Sequence, residues 1–303
     1  MTKNDISNIA ASVRARLLNL AKERGIEFNR MLLLYLQERF LYRLSRSTYR
    51  DQFVLKGGVL FYGAHQQQAR PTKDVDLLAR NLSNDEVAFT SCIKEIITIQ
   101  VDDGIKFDSE ISIEKIFEAA QYEGLRIKLK ATLDKARLRL QVDIGFSDKI
   151  IPPPVPFEYP TLIDDEAIPL IAYSWESVIA EKFDAMVKLG VLNSRLRDFY
   201  DIYFLLTEYT FRGVYLTQAI RETFTNRNTD IAAAQSIFEE SFMNNRQKQQ
   251  QWKAFMKKAG VERTLSFADI VLQIEKFLAP VIEAIQDNWQ FNQTWDHVKQ
   301  KWH

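Results

Sequence analysis

The chain has 303 residues, of which 46% are apolar and 26% charged, so it can bury a substantial core and has no segment of disordered composition. Lysine and arginine together number 40, as do aspartate and glutamate, so no overall positive charge draws the chain onto nucleic acid and any RNA site must be local. The single cysteine, Cys92, excludes an internal disulfide and a cysteine-ligated metal cluster.

The sequence favours a soluble, cytoplasmic protein with no membrane partner. Its first residues, MTKNDISNIAASVRARLL, lack the apolar core of a signal peptide. No later stretch approaches the roughly 20 apolar residues that a membrane-spanning helix needs.

Two helices are predicted over residues 6–46. Apolar residues recur at helical spacing from Ile9 to Leu20 and again from Met31 to Leu41, and Gly25 separates the two runs. These helices precede the segments that carry the candidate site.

The next segment predicts a strand, a tight turn and a helix. The apolar run Phe53–Leu55 is followed by Gly57 and Gly58, and a helical pattern starts at Val59. A glycine pair lets the backbone approach a phosphate closely, and a helix N-terminus adds oriented N–H groups. On its own, however, such a pair more often indicates an ordinary turn.

Two carboxylates follow in a predicted strand. Asp74 and Asp76 are two residues apart, so their side chains leave the same face, on which Thr72 precedes them. Carboxylates placed in this way can converge on a cation, although an isolated Asp-x-Asp pair is commonly a solvated strand edge.

A predicted hairpin supplies a third carboxylate, Asp143. Charged and apolar residues alternate on both sides of a turn near Asp134 and Lys135, and Asp143 ends the polar face. The basic residues of that face could guide a triphosphate or an RNA acceptor toward Asp143, or could belong to an exposed amphipathic hairpin; they are Arg126, Lys128, Lys130, Arg137 and Arg139.

Together, the glycine pair, the Asp-x-Asp pair and Asp143 form a composite signal for nucleotidyl transfer. That reaction needs a seat for a triphosphate and carboxylates that hold one or two magnesium ions.

A domain boundary is predicted near residue 160, because prolines at 152, 153, 154, 156 and 160 exclude a helix or a central strand. The domains are then 1–160 and 161–303. In the second, Ser174 is a candidate N-cap and Gly190 a candidate C-cap for a helix over about 175–189. Another helix is expected to open at Asn193 or Ser194.

Residues 213–303 are expected to be helical throughout. Pro280 is expected to break or kink the last long helix. The tryptophans of this region are more typical of core anchors than of base-stacking platforms.

Several segments together resemble the AbiEii/AbiGii toxin family, which are nucleotidyltransferases of the DNA polymerase β superfamily. The segments occur in the family's order and at family-like spacing, over roughly residues 6 to 280. They are FVLKGG (53–58), RPTKDVDLL (70–78), QVDIGF (141–146), AEKFDAM (180–186) and RLRDFYDIY (195–203).

The resemblance implies an α+β fold, with a nucleotidyltransferase core of mixed sheet flanked by helices and a C-terminal helical domain. It implies that Asp74, Asp76 and Asp143 are the catalytic, metal-binding triad for Mg²⁺. It also implies a nucleotide-binding turn at Gly57 and Gly58, and a nucleotide-binding role for Thr72. The broader superfamily often has Gly-Ser where this chain has Gly-Gly, so the turn must hold phosphate through backbone donors.

Lys182 lies four residues after Val178 and four before Met186, on an apolar helical stripe, so it either reaches toward water or satisfies an anion. The resemblance places Lys182 in a Glu-Lys-x-x-Ala motif whose lysine reaches the nucleotide phosphates.

Asp198 and Asp201 share one helix face. By resemblance, Asp198 orients Lys182 or a nucleotide group, and Asp201 buttresses it. The alternative is a solvated acidic face with local ion pairs to Arg195 and Arg197.

The implied function is transfer of a nucleoside monophosphate from a nucleoside triphosphate to an acceptor hydroxyl. The protein then resembles the toxin of an AbiE-type toxin–antitoxin or phage-defence system, with RNA as the acceptor, a transfer-RNA 3′ end as the first candidate, and a cognate antitoxin as partner. Two alternatives remain: an antibiotic-type enzyme that modifies small molecules, and a non-catalytic nucleotide- or partner-binding module. The complete set of three carboxylates counts against the second.

Overall fold

The computed structural model describes residues 8–66, 72–82, 85–118, 122–146, 150–190, 193, 195–259 and 265–303. The chain forms two compact units. The first comprises Met1–Asp148 and Val155–Ala172, and the second comprises Lys149–Pro154 and Tyr173–His303.

The first unit begins with the two predicted N-terminal helices. Gly25 lies between them and has a φ of +63°. The predicted strand, glycine turn and helix follow directly. In chain order, the described elements are α1 (Ile9–Glu23), α2 (Phe28–Arg46), β1 (Phe53–Lys56), α3 (Gly57–His65), β2 (Asp74–Ala79), α4 (Glu86–Thr98), β3 (Ile105–Glu118), β4 (Tyr122–Leu133), β5 (Ala136–Phe146), β6 (Val155–Tyr159) and β7 (Ile168–Ala172).

These strands form one mixed sheet in the order β3-β4-β5-β2-β1-β7-β6. Strand β2 is parallel to β5 and antiparallel to β1, while β1 is parallel to β7. In this register Asp76 lies between Lys56 on β1 and Asp143 on β5. Directly paired residues share a face of the sheet, so Lys56 and both aspartates are on one face.

The other face of the sheet is apolar and buried. Its central residues, Val75, Leu77, Val142 and Ile144, are at most 1% exposed. They form the core together with the buried residues of α2, which contacts β5 and β7. The burial of this face fixes the register, because a slip of one residue would turn the carboxylates into the core.

Strand β3 is one of the elements of this unit that the sequence patterns left unassigned, as are α4, β6 and β7. It pairs along β4 in an antiparallel register that shifts between Phe107 and Ile111. Its pairing turns the predicted hairpin of β4 and β5 into a three-stranded segment, and it brings acidic side chains opposite the basic ones of β4.

The first unit extends past the expected boundary at residue 160. Strand β6, which contains Pro156, occupies the edge of the sheet, where proline is tolerated because one side of an edge strand needs no hydrogen-bond donor. Strand β7 lies between β6 and β1, so residues up to Ala172 belong to the same sheet. The predicted boundary falls between these two strands.

The first helix of the second unit has ends that match the sequence prediction. Ser174 accepts a hydrogen bond from the backbone N–H of Ser177 (3.2 Å), and Gly190 follows the last turn with a φ of +45°. The unit contains α5 (Trp175–Leu189), α6 (Leu196–Glu208), β8 (Phe211–Arg212), α7 (Gly213–Asn226), α8 (Glu240–Met243), α9 (Arg246–Ala259), α10 (Phe267–Gln286), β9 (Thr294–Asp296) and β10 (Lys301–Trp302).

Residues 6 and 7 of the first predicted helix, residues 70 and 71 of the segment RPTKDVDLL, and Ser194 lie outside the described residues. Among the helices of the described ranges, none has both the length and the hydrophobicity that crossing a bilayer requires.

The expectation that residues 213–303 are helical throughout is wrong. Strands β8, β9 and β10 form a small antiparallel sheet, in which Phe211 pairs with Trp295. The indole N–H of Trp295 donates to the carbonyl of Leu206 (2.7 Å), and its ring packs against Phe277 and Trp302. Aromatic burial therefore determines the path of these residues, and local helical periodicity does not.

Pro280 does not break the last long helix, because α10 runs through it from Phe267 to Gln286. Ser266 and Asp269 form a capping box at the helix start, and the residues flanking Pro280 on the inner face are buried. Tertiary packing thus compensates for the missing N–H of the proline.

Candidate active site

Three carboxylates converge on the polar face of the first unit's sheet. Asp76 is paired with Asp143 across the parallel strands β2 and β5, and Asp74 precedes Asp76 on the same face. All three are half-buried, and one carboxylate oxygen from each lies within 4.8 Å of the others. Hard oxygen donors at this separation can hold a divalent metal ion of the magnesium class.

The glycine turn packs directly against these carboxylates. Gly57 has a φ of +67°, and a Cβ atom there would lie 1.9 Å from Oδ2 of Asp76. At Gly58 an added Cβ would lie 2.6 Å from Oγ1 of Thr72. That hydroxyl donates to Oδ1 of Asp74 (2.9 Å). Because glycine has no side chain, Asp76 and Thr72 can pack directly against the turn. The turn is therefore part of the site.

Asp143 is held from the neighbouring strand by Arg126. The Nε and Nη2 atoms of Arg126 donate to Oδ1 and Oδ2 of Asp143 at 2.9 and 2.8 Å. The side-chain amide of Gln141 lies 3.2 and 3.1 Å from the same two oxygens. This hydrogen bonding to Asp143 raises the pKa of the Arg126 guanidinium. A bidentate pair of this kind fixes the orientation of the carboxylate. A metal ion bound to Asp143 must therefore share the carboxylate oxygens with Arg126.

Lys56 is a residue of this face that the sequence patterns did not single out. It is 8% exposed and lies directly opposite Asp76 in the register of β1 and β2. Its ammonium extends toward Gly145 of β5, where an added Cβ would lie 3.8 Å from Nζ. The sequence signal that could have identified Lys56 is its position as a charged residue at the end of an otherwise apolar strand, directly before a glycine pair.

The predicted basic face is largely ion-paired. Besides the pair between Arg126 and Asp143, Lys128 pairs with Glu114 (2.9 Å) and Lys130 with Glu110 (2.7 Å). Both glutamates belong to β3, so the positive charge on this face is smaller than the hairpin sequence suggests.

Lys182 and its predicted partners form a buried cluster within the second unit. The Lys182 ammonium lies 3.2 Å from Oδ1 of Asp198 and 2.8 Å from Oδ2 of Asp201. The lysine side chain is 12% exposed, so it does not extend into water. The two aspartates share one face of α6, as their spacing predicts, and both pair with Lys182 of α5.

The structure thus brings Gly57, Gly58 and Thr72 together with the three carboxylates. It places Lys182 with Asp198 and Asp201 in the second unit, and a nucleotide role for these residues stays a prediction.

The seven-stranded mixed sheet flanked by helices has the nucleotidyltransferase class of fold, and its adjacent parallel strands β2 and β5 carry three converging carboxylates beside a glycine turn. The chain belongs to the AbiEii family, because residues 39–286 match the family described as "Nucleotidyl transferase AbiEii toxin, Type IV TA system".

Two solved structures from Helicobacter pylori are similar to the chain. One is JHP933, at 14% identity and a TM-score of 0.46, covering 86% of this chain and 94% of JHP933. The other was solved as a candidate nucleotidyltransferase, at 15% identity and a TM-score of 0.44, covering 84% of this chain and 94% of the other. Comparison with curated proteins finds no match.

Proposed function

We propose that this protein is a metal-dependent nucleotidyltransferase that moves a nucleoside monophosphate from a nucleoside triphosphate to a hydroxyl of an RNA acceptor. The observation that carries the proposal is the convergence of Asp74, Asp76 and Asp143 within 4.8 Å. The match to a family of nucleotidyltransferase toxins supports it.

In this proposal, Asp74, Asp76 and Asp143 hold Mg²⁺. The bound cation would supply electrostatic stabilisation of the charge that develops on the triphosphate during transfer. Two features of the turn suit a phosphate seat: glycine at positions 57 and 58 lets the backbone pass close beside Asp76 and Thr72, and α3 begins at Gly57 with its first N–H groups unpaired within the helix.

The acceptor hydroxyl would lie at Asp143. Its oxygen forms a bond to the α-phosphorus, the bond from that phosphorus to the β-phosphate oxygen breaks, and pyrophosphate leaves. Asp143 accepts the hydrogen bond of the hydroxyl and takes its proton, while Arg126 and Gln141 keep the carboxylate in place. We assign Lys182, oriented by Asp198, to the triphosphate.

The biological role we propose is that of the toxin in a toxin–antitoxin or phage-defence system in the cytoplasm, with a cognate antitoxin as partner. A transfer-RNA 3′ end is the first candidate for the acceptor. The small-molecule alternative predicts labelling of an antibiotic-like acceptor in place of RNA.

The test is incubation of the protein with each labelled triphosphate, Mg²⁺ and total RNA. We expect one RNA class to become labelled, and we expect Asp74→Asn to abolish both the labelling and the binding of Mn²⁺, because the amide removes an anionic ligand while keeping the shape.

The matched control is Asp134→Asn in the turn between β4 and β5. Asp134 has a φ of +52°, a conformation that asparagine adopts readily, so this variant should keep full activity. Unchanged labelling by Asp74→Asn would contradict the assignment of the three carboxylates.

A further inference from the structure

A pocket of about 460 Å³ opens over strands β3, β4 and β5. Three leucines line it and most of its lining surface is apolar, but its charged and polar residues include Lys73, Lys128, Lys130, Arg139, Glu110 and Gln141. The sequence patterns gave no indication of a cavity here, because one of its walls comes from β3.

The pocket has an excess of positive charge. Lys130 and Lys128 are paired with Glu110 and Glu114, but these are ion pairs of half-exposed side chains, which contribute little and can be exchanged for another anion. Neither Lys73 nor Arg139 makes an ion pair with any other residue in the part of the chain that the structure describes. These two exposed cations therefore attract an anion to the pocket.

The pocket is connected to the carboxylates by Gln141. This residue lines the pocket, and its amide also donates to Asp143. Gln141 is two residues from Asp143 on β5, which corresponds to roughly 7 Å along an extended strand, and Arg139 is roughly 13 Å away. If the terminal hydroxyl of a polyanion lies at Asp143, the phosphates that precede this hydroxyl in the polyanion would lie in the pocket.

The pocket and the glycine turn lie on opposite sides of strand β2 in the sheet. The strand order places β3, β4 and β5 on one side of β2, and β1 with Gly57 on the other. The three carboxylates lie on β2 and β5, between the pocket and the turn. A triphosphate at the turn and an anionic acceptor in the pocket would therefore approach the carboxylates from opposite sides.

We propose that this pocket binds the phosphodiester backbone of the acceptor RNA, just before its terminal hydroxyl. This inference rests on the proposed function, and it adds the site and the chemistry by which the acceptor is held. Of the described residues that line the pocket, none is aromatic, so bases have no stacking surface there. Recognition in this pocket is of phosphate charge and is independent of base sequence.

The experiment is fluorescence anisotropy with a labelled twelve-nucleotide oligouridylate, without triphosphate and with EDTA, so that no turnover contributes. The test variant is Arg139→Gln. The matched control is Arg137→Gln, which removes the same charge from the same strand two residues farther from Asp143 and outside the pocket.

We expect Arg139→Gln to weaken RNA binding about five- to tenfold at low salt, and to lower the slope of log K against log salt by about 0.7, because one phosphate contact is lost. The double variant Lys73→Gln/Arg139→Gln should lower that slope by about 1.4. Arg137→Gln should change affinity less than twofold.

Equal binding by Arg139→Gln and Arg137→Gln, or no RNA binding by the unmodified protein, would overturn the inference. A loss of ATP binding in Arg139→Gln, with RNA binding unchanged, would also overturn it and assign the pocket to the triphosphate. Failure of the proposed function is distinguished from these results, since it would appear as absent nucleotidyl transfer while oligouridylate still binds with the expected dependence on Arg139.

Discussion

At the residue scale, the convergence of the carboxylates depends on two glycines. Gly57 and Gly58 stand where any side chain would overlap Asp76 and Thr72, respectively. Gly57 also needs a positive φ, whereas the positive-φ positions do not include Gly58. A substitution at Gly58 therefore tests packing against the site without backbone strain.

We predict that Gly58→Ala lowers the affinity for Mn²⁺ about tenfold. The new methyl group meets Thr72 and displaces the hydroxyl that donates to Asp74, and crowding of this kind typically costs about 1–3 kcal/mol. The measurements are Mn²⁺ binding by electron paramagnetic resonance and unfolding in urea.

The control for this prediction is Gly63→Ala on the same helix. A Cβ atom there would lie 2.7 Å from the ring of Tyr159, away from the carboxylates. It should destabilise the fold to a similar extent while leaving Mn²⁺ affinity unchanged. Equal effects of both variants on Mn²⁺ affinity would mean that Gly58 acts only through general stability.

The three carboxylates could be predicted from sequence because alternation along a strand determines which side chains share a face. Their surroundings could not, because they depend on which strands are neighbours. The pair between Arg126 and Asp143, and the approach of Lys56 to Asp76, follow from cross-strand register. Neither pair is close in sequence, so no local pattern indicates it.

At the element scale, prediction succeeded where local signals agree. Helix α5 runs between its caps, Ser174 and Gly190, as predicted, because the caps and the apolar stripe indicate the same bounds. Local signals failed for β9 and β10, and for the break that was predicted at Pro280 within α10. In these elements, Pro280 is accommodated by a buried helix face, and short strands form where tryptophans are buried.

Helices α5 and α6 are joined by the ion pairs of Lys182 with Asp198 and Asp201. From the sequence, Lys182→Met is expected to leave stability unchanged or slightly raised, because methionine keeps the aliphatic bulk and the helix propensity. The structure reverses that expectation, since the substitution would leave two buried carboxylates without their ammonium partner.

We therefore predict that Lys182→Met lowers the free energy of unfolding by on the order of 3 kcal/mol, as removal of one partner from a buried ion pair does. Urea unfolding followed by circular dichroism gives this value. Adding Asp198→Asn and Asp201→Asn to Lys182→Met should restore most of the loss, because neutral amides need no counter-charge. A fully stable Lys182→Met variant would show that the carboxylates are satisfied without the lysine.

At the scale of the whole molecule, the seven-stranded sheet determines where the first unit ends, and the proline-rich segment does not. The prolines between residues 152 and 160 predict a boundary, and β6 within that segment is indeed an edge strand. The chain then returns to add β7 beside β1, with Ala172 opposite Leu55. A strand that is inserted between two earlier elements leaves no local signal of its destination.

Two truncated chains, one ending at Ala172 and the other at Pro160, differ by strand β7. Both retain Asp74, Asp76 and Asp143. The shorter chain lacks β7, so it loses the buried Ile168, Leu170 and Ala172, leaves β6 without its partner strand and exposes one edge of β1.

We expect the chain ending at Ala172 to unfold cooperatively in urea and to bind Mn²⁺, and the chain ending at Pro160 to do neither. Full burial of a side chain such as leucine or isoleucine contributes about 1.5–3 kcal/mol, so the loss of β7 removes several kcal/mol from a unit whose total stability is marginal. Both fragments lack Lys182 and Asp198, so neither should transfer a nucleotide. Transfer by the longer fragment would show that the second unit is dispensable for the chemistry, and cooperative unfolding of the shorter one would show that the first unit does not need β7.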